Sequence, residues 1–144
     1  MNLKKVIKAL NKLFNRWGID FDINTKRLNN GREKVEATSS LTLKGYDDNI
    51  YARFSFYETG VAEYLFTFDQ LVKNSETLNL VNTFNEESLW FKAFIDDKYL
   101  QITHTVLNME DDQVADYTNS ILEEMADDGM KEYLTPLTML TVGE

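Results

Sequence analysis

Hydrophobic residues switch between helical and strand spacing along the chain, and the order of these patterns predicts the fold. Apolar side chains recur every three or four positions over residues 3–17, as in an amphipathic helix, and Gly18 ends it. Four alternating runs follow, at residues 19–24, 35–43, 50–57 and 61–68. Because only short turns separate these runs, we expect them to pair as an antiparallel meander.

The second half of the chain predicts a short helix, a tight β-hairpin and a long acidic helix. The hairpin strands cover residues 90–95 and 99–107, with a turn at Asp96-Asp97-Lys98 between them. The last helix begins near Asp111, since acidic side chains suit the positive end of a helix dipole, and Pro136 stops it.

This order of elements, α-β(3-4)-α-β-β-α, predicts an α+β fold. We expect an antiparallel sheet with helices packed mainly on one face, while the other face stays partly open. No linker, repeat or low-complexity segment interrupts the pattern. The sequence therefore predicts one domain over residues 1–136 and a short tail over residues 137–144.

Composition limits the cellular compartments and the kinds of chemical site that the protein can have. Of 144 residues, 43% are apolar and 12% aromatic, which suits a packed core, and none is cysteine. Disulfides, thiolate nucleophiles and thiolate metal sites are thereby excluded, and a reducing compartment is compatible. No run approaches the about 20 apolar residues of a membrane span, and lysines interrupt the apolar start that a signal peptide needs. We therefore expect a cytoplasmic protein without a membrane span.

The protein is acidic overall, and its charged residues are unevenly distributed along the chain. The net charge of −9 argues against direct nucleic-acid binding, which needs cations to displace phosphate counterions. Residues 1–16 carry five bases and no acid, whereas residues 108–132 carry nine acids and one base. These segments are either two solvated helix faces or, for the acidic one, a surface that steers a basic partner. The basic first helix either packs on the sheet or lies on an anionic membrane surface.

No residue pattern indicates catalysis, a metal or a cofactor. His104, the single histidine, shares a strand face with Ile102 and Val106, where a packing role fits better than a general base. The pairs Asp111-Asp112 and Asp127-Asp128 lack the alternating spacing of a calcium-binding loop, and no glycine-rich phosphate loop occurs. The sequence therefore predicts a protein that is not an enzyme and has no cofactor.

Aromatic residues divide between the two faces of the predicted sheet. One set is expected in the core: Phe54, Phe56, Tyr64, Phe66 and Phe68. The opposite face is expected to carry a partner-binding set: Tyr51, Arg53, Tyr57, Leu65 and Phe94. Several aromatics on an exposed sheet face mark a protein-binding site, unless the middle helix or a second subunit covers them.

One local run resembles a known family. Leu80-Val81-Asn82-Thr83-Phe84-Asn85, followed after a short interval by Phe91-Lys92-Ala93-Phe94-Ile95-Asp96, is similar to the helix-to-hairpin segment of YbjN-like proteins. In those proteins an L-V-N-x-[WF]-N helix leads into a strand with Asp at its turn. The residue pattern covers residues 78–134, and the layout residues 3–134. The resemblance implies the fold of type III secretion chaperones, a small acidic α+β sandwich that commonly dimerises, and it defines no catalytic residues.

Two functional hypotheses follow from these patterns. The first is a chaperone- or regulator-like module, a homodimer, that binds a protein partner through a sheet face or an edge strand. The second is an acidic inhibitor of phage origin that mimics nucleic acid and binds a basic host protein through the helix at residues 111–132. Added salt separates the two, because it weakens charge-based binding far more than apolar binding.

Overall fold

The elements follow the predicted order, with four strands before the second helix. The computed structural model describes residues 1–42, 50–68, 75–88, 90–96 and 99–127. In chain order its elements are α1 (Leu3–Trp17), β1 (Asp22–Arg27), β2 (Glu33–Leu41), β3 (Ile50–Tyr57), β4 (Ala62–Phe68), α2 (Ser75–Glu87), β5 (Lys92–Asp96), β6 (Tyr99–Val106), a 3₁₀ turn (Asp111–Gln113) and α3 (Val114–Met125).

The six strands form one antiparallel sheet in the order β1-β2-β3-β4-β6-β5. The first four strands make the predicted meander, and the β5–β6 hairpin joins it with β6 beside β4. The hairpin closes where Asp96 pairs with Tyr99. The prediction of an α+β fold is therefore confirmed.

Helices α1 and α3 lie side by side and cover one face of the sheet. The Trp17 indole N–H donates to the Asn119 side-chain oxygen at 2.7 Å, which ties the end of α1 to the middle of α3. Beneath the helices, all five predicted core aromatics are buried: Phe54, Phe56, Tyr64, Phe66 and Phe68. Phe54 is central, because four other rings have centroids within 6.4 Å of its own: Phe14, Phe21, Tyr64 and Phe66.

The start of the first strand was predicted too early. Gly18 has φ of +67° and turns the chain at the end of α1, and the Ile19 N–H still donates to the Phe14 carbonyl. Phe21 then stacks on Phe14, with ring centroids 3.9 Å apart. Residues 19–21 are thus used to turn and pack against the helix, and β1 begins at Asp22.

The acidic helix also differs from its predicted limits. A 3₁₀ turn precedes it, and the Glu110 N–H donates to the Gln113 side-chain oxygen at 3.0 Å. Within the described residues α3 ends at Met125, where the Ala126 N–H donates to the Leu122 carbonyl. The predictions that concern Asp97-Lys98, Asp128, the stop at Pro136 and the tail at residues 137–144 lie outside the described residues.

Candidate partner-binding face

The five residues predicted to bind a partner lie on one face of the sheet, opposite the aromatic core. On β3, Tyr51, Arg53 and Tyr57 alternate with buried residues of the covered face. Leu65 pairs with Arg53 across β3 and β4, so both point to the same side. Phe94 on β5 alternates in the same way with buried Ala93 and half-buried Ile95. Hereafter this side of the sheet is called the open face.

Strand register places two of the five residues in one row across the open face. Tyr51 pairs with Thr67, Thr67 with Gln101, and Gln101 with Phe94. Between the two aromatics, the Thr67 hydroxyl donates to the Gln101 side-chain oxygen at 2.6 Å. With neighbouring strands about 4.8 Å apart, the row separates Tyr51 from Phe94 by about 14 Å.

Exposure differs within the predicted set. Tyr51 and Phe94 are 43% and 46% exposed, which is high for aromatic residues in a sheet. Arg53 is also exposed, whereas Leu65 is half-buried. Tyr57 is half-buried too, and the Lys34 ammonium lies 5.3 Å from its ring centroid. The accessible aromatic surface is therefore that of Tyr51 and Phe94 rather than that of Tyr57.

An ion cluster lies beside this surface at the β1–β2 end of the open face. The Glu36 carboxylate contacts the Lys26 ammonium at 2.7 Å and the Lys34 ammonium at 3.1 Å. The hydrogen bond from Lys26 lowers the pKa of Glu36 below its ordinary value, against the effect of burial, and Lys34 lowers it further. Burial lowers the pKa of Lys34, but Glu36 and Tyr57 together raise it above its ordinary value.

We expect this ion cluster to make the free energy of unfolding depend on pH in the acidic range. Because its pKa is lowered in the folded state, Glu36 stabilises the fold at pH values above the ordinary pKa of glutamate. This contribution disappears as the pH falls through the lowered pKa. Glu36→Gln should therefore destabilise the protein by about 1 kcal/mol near neutral pH, since Lys26 is largely exposed. Urea unfolding of both proteins should give a difference that shrinks below about pH 4. A difference that grows on acidification would contradict the assignment.

One outer edge of the sheet is occupied by a side chain. The Asn85 amide on α2 donates to the Ala93 carbonyl at 2.8 Å, and its oxygen accepts from the Ala93 N–H at 2.6 Å. Ala93 lies on β5, the last strand in the sheet order, so Asn85 bonds to it as a further strand would. Asn85 belongs to the run that resembles YbjN-like proteins, but its contact with Ala93 was not predicted from the sequence.

His104 has the packing role that its strand position predicts. It is half-buried, its Nδ1–H donates to the Trp90 carbonyl, and its Nε2 lies 2.7 Å from the Tyr117 hydroxyl. Nearby, the Tyr64 and Thr118 hydroxyls pair at 2.8 Å, and burial raises the pKa of Tyr64. Both ring nitrogens of His104 are thus engaged in hydrogen bonds, and among the described residues these partners are a carbonyl and a phenol rather than the serine and the acid of a catalytic triad.

The described part of the chain contains neither a candidate metal site nor a candidate membrane-spanning helix. No group of three histidine, cysteine or acidic side chains there is arranged to hold a metal ion. No helix there is long and apolar enough to cross a membrane. Asp111 and Asp112 lie in the 3₁₀ turn before α3, where carboxylates suit the positive end of a helix.

Comparison of the chain with protein-family models, with curated proteins and with solved structures gives no match. The resemblance to YbjN-like proteins over residues 78–134 therefore stays a prediction.

Proposed function

We propose that this protein is a non-enzymatic protein-binding module, chaperone- or regulator-like in role, that holds a partner on the open face of its sheet. The observation that carries the proposal is the exposed aromatic pair, Tyr51 and Phe94, in one cross-strand row. Exposed aromatics on a rigid surface contribute much of the binding energy in protein interfaces, because their rings lose little conformational freedom.

The charge of the open face supports an apolar mode of binding. Strand register assigns four acidic and four basic residues to it: Asp22, Glu36, Glu63, Asp96, Lys26, Lys34, Arg53 and Lys92. The face is thus neutral on a protein of net charge −9, so it does not repel a partner as the rest of the surface does. We therefore expect binding there to tolerate salt.

The open face is also favoured over the edges of the sheet. At β5, Asn85 already bonds to both backbone groups of Ala93 and would have to leave before another strand could pair there. At the other edge, β1 ends in Lys26 and Arg27, which are exposed charges of the kind that discourage strand addition. In line with the resemblance to secretion chaperones, we also propose a cytoplasmic homodimer.

The test removes the aromatic pair without touching the core. A photoreactive amino acid at Gln101, between the two rings, should crosslink a partner to the wild-type background. Tyr51→Ala with Phe94→Ala should lower this capture about tenfold or more, because both changes remove exposed ring area from one site. Capture by the wild type should persist in about 1 M salt, where the screening length is about 3 Å.

Leu78→Ala is the matched control, because Leu78 is 41% exposed on α2 and lies outside the open face. It should capture the partner normally. Light scattering shows whether the occupant of the open face is a second copy of the chain. In that case the wild type has a mass of twice 16.8 kDa, and the double substitution returns the mass to that of a single chain. Unchanged capture by a folded double variant contradicts the proposal.

A further inference from the structure

A groove runs along α3 on the helical side of the sheet. It consists of two clefts, of about 570 and 350 Å³, that share Ser120 in their linings. The first lies between α3 and the segment after β6, where Leu107 is 68% exposed and Tyr117 forms part of the wall. The second lies between α3 and Trp90. Hereafter the two together are called the α3 groove.

Trp90 forms a fixed aromatic wall in this groove. Its carbonyl accepts a hydrogen bond from His104, and its ring centroid lies 5.6 Å from that of His104 and 6.1 Å from that of Tyr117. These contacts hold the residue while 43% of it remains exposed. A ring that is ordered before binding loses little freedom when a ligand arrives, which favours its use as a binding surface.

The lining of the groove carries charge of one sign. Five acidic residues line the two clefts: Asp112, Asp116, Glu123, Glu124 and Asp127. No lysine or arginine is among the described residues that line them. The basic side chains of α1 make no ion pair with α3 among the described residues. The groove therefore attracts cations from outside the described chain.

An exposed indole beside carboxylates suits one type of ligand. Alkylammonium and guanidinium groups are attracted to the face of a tryptophan ring and form charge-assisted hydrogen bonds with carboxylates. A metal ion fits less well, since no three-ligand cluster occurs among the described residues. From Asp116 to Glu124 the helix rises about 12 Å, which equals about four residues of extended chain.

We propose that the α3 groove binds a short, extended, lysine- or arginine-rich segment of a partner protein. One cationic side chain lies over Trp90, and its neighbours pair with the carboxylates along α3. The groove and the open face are on opposite sides of the sheet, so this site is separate from the proposed function. As in the inhibitor hypothesis, the partner is basic. Here, however, the Trp90 ring contributes to selectivity, whereas a mimic of nucleic acid would use its carboxylates alone.

The test uses fluorescein-labelled hexalysine and hexaarginine peptides, followed by fluorescence anisotropy with the full chain. We expect saturable binding that weakens with added salt. Trp90→Ala should weaken it about fivefold, since the cation loses the ring. Glu123→Gln with Glu124→Gln should weaken it by at least as much. The matched control, Asp20→Asn with Asp22→Asn, removes the same charge near the β1 end of the sheet and should change affinity less than about twofold.

Three outcomes overturn the proposal. Equal losses from the control pair and the α3 pair mean that net charge alone attracts the peptides. Full affinity in folded Trp90→Ala means that no aromatic site is used. A doubled mass at low salt that the α3 pair abolishes means that a second copy, through its basic α1, is the occupant. None of these outcomes changes partner capture at Tyr51 and Phe94, so failure here is distinct from failure of the proposed function.

Discussion

Phe54→Ala is expected to lower the free energy of unfolding by about 3–5 kcal/mol, the largest loss from any single change considered. Phe54 is fully buried and has aromatic neighbours on α1, on β4 and in the α1–β1 connection, so truncation removes contacts among three segments at once. Since domains of this size are stable by only about 5–15 kcal/mol, the variant should approach the limit of folding. Urea unfolding, with the midpoint and slope compared with those of the wild type, measures the loss.

Tyr51→Ala is the control for this prediction, because Tyr51 lies three residues away on the same strand and points to the open face. It should change stability by less than about 1 kcal/mol, as surface substitutions usually do. If the two variants lose similar amounts, the assignment of covered and open faces is wrong.

Asn85→Ala is expected to lower the free energy of unfolding by about 1–3 kcal/mol. The change removes both hydrogen bonds to the Ala93 backbone and leaves its N–H and carbonyl at a partly buried edge of the sheet. Because an uncovered strand edge pairs with other chains, the variant should also aggregate at lower protein concentration than the wild type. Urea unfolding gives the first effect, and light scattering over a concentration series gives the second.

Asn82→Ala is the matched control, since Asn82 is exposed on the same helix and loses the same atoms. Hydrogen exchange supplies a local readout, because the Ala93 amide should lose protection in Asn85→Ala and keep it in Asn82→Ala. Normal protection of the Ala93 amide in Asn85→Ala would show that the side-chain contact does not hold this edge.

Within the strands that the structure describes, the predicted face of each residue was correct, because side chains on a strand alternate with a fixed period of two. This is why Tyr51 and Phe94 were assigned to one face from sequence alone. Their position in a single row was not predicted, since it depends on the pairing of β4 with β6 across residues far apart in the chain. Alternation also misled at Ile19 and Phe21, whose apolar side chains pack around the end of α1 without strand pairing.

Asn85 and Trp90, which lie outside the predicted partner-binding set, had weaker signals in the sequence. Asn85 lies one turn after Val81 and next to Phe84, so an amide on the buried side of α2 pointed to a specific partner. Its partner became identifiable only when α2 was placed against β5. Trp90 stands just before β5, and nothing in its local pattern indicates the distant residues of α3 that complete the groove.

The packing of α1 against α3 has a consequence for the order of folding during synthesis. Trp17 and Asn119 bond across 102 positions, so one of the two helices over the core is synthesised long after the other. The β1–β4 meander pairs only neighbouring segments and can form early, while its aromatic side awaits α3. The nascent chain therefore exposes an unfinished apolar layer until α3 has emerged from the ribosome, and the speed of translation between β4 and α3 controls how long that layer is open to misassembly.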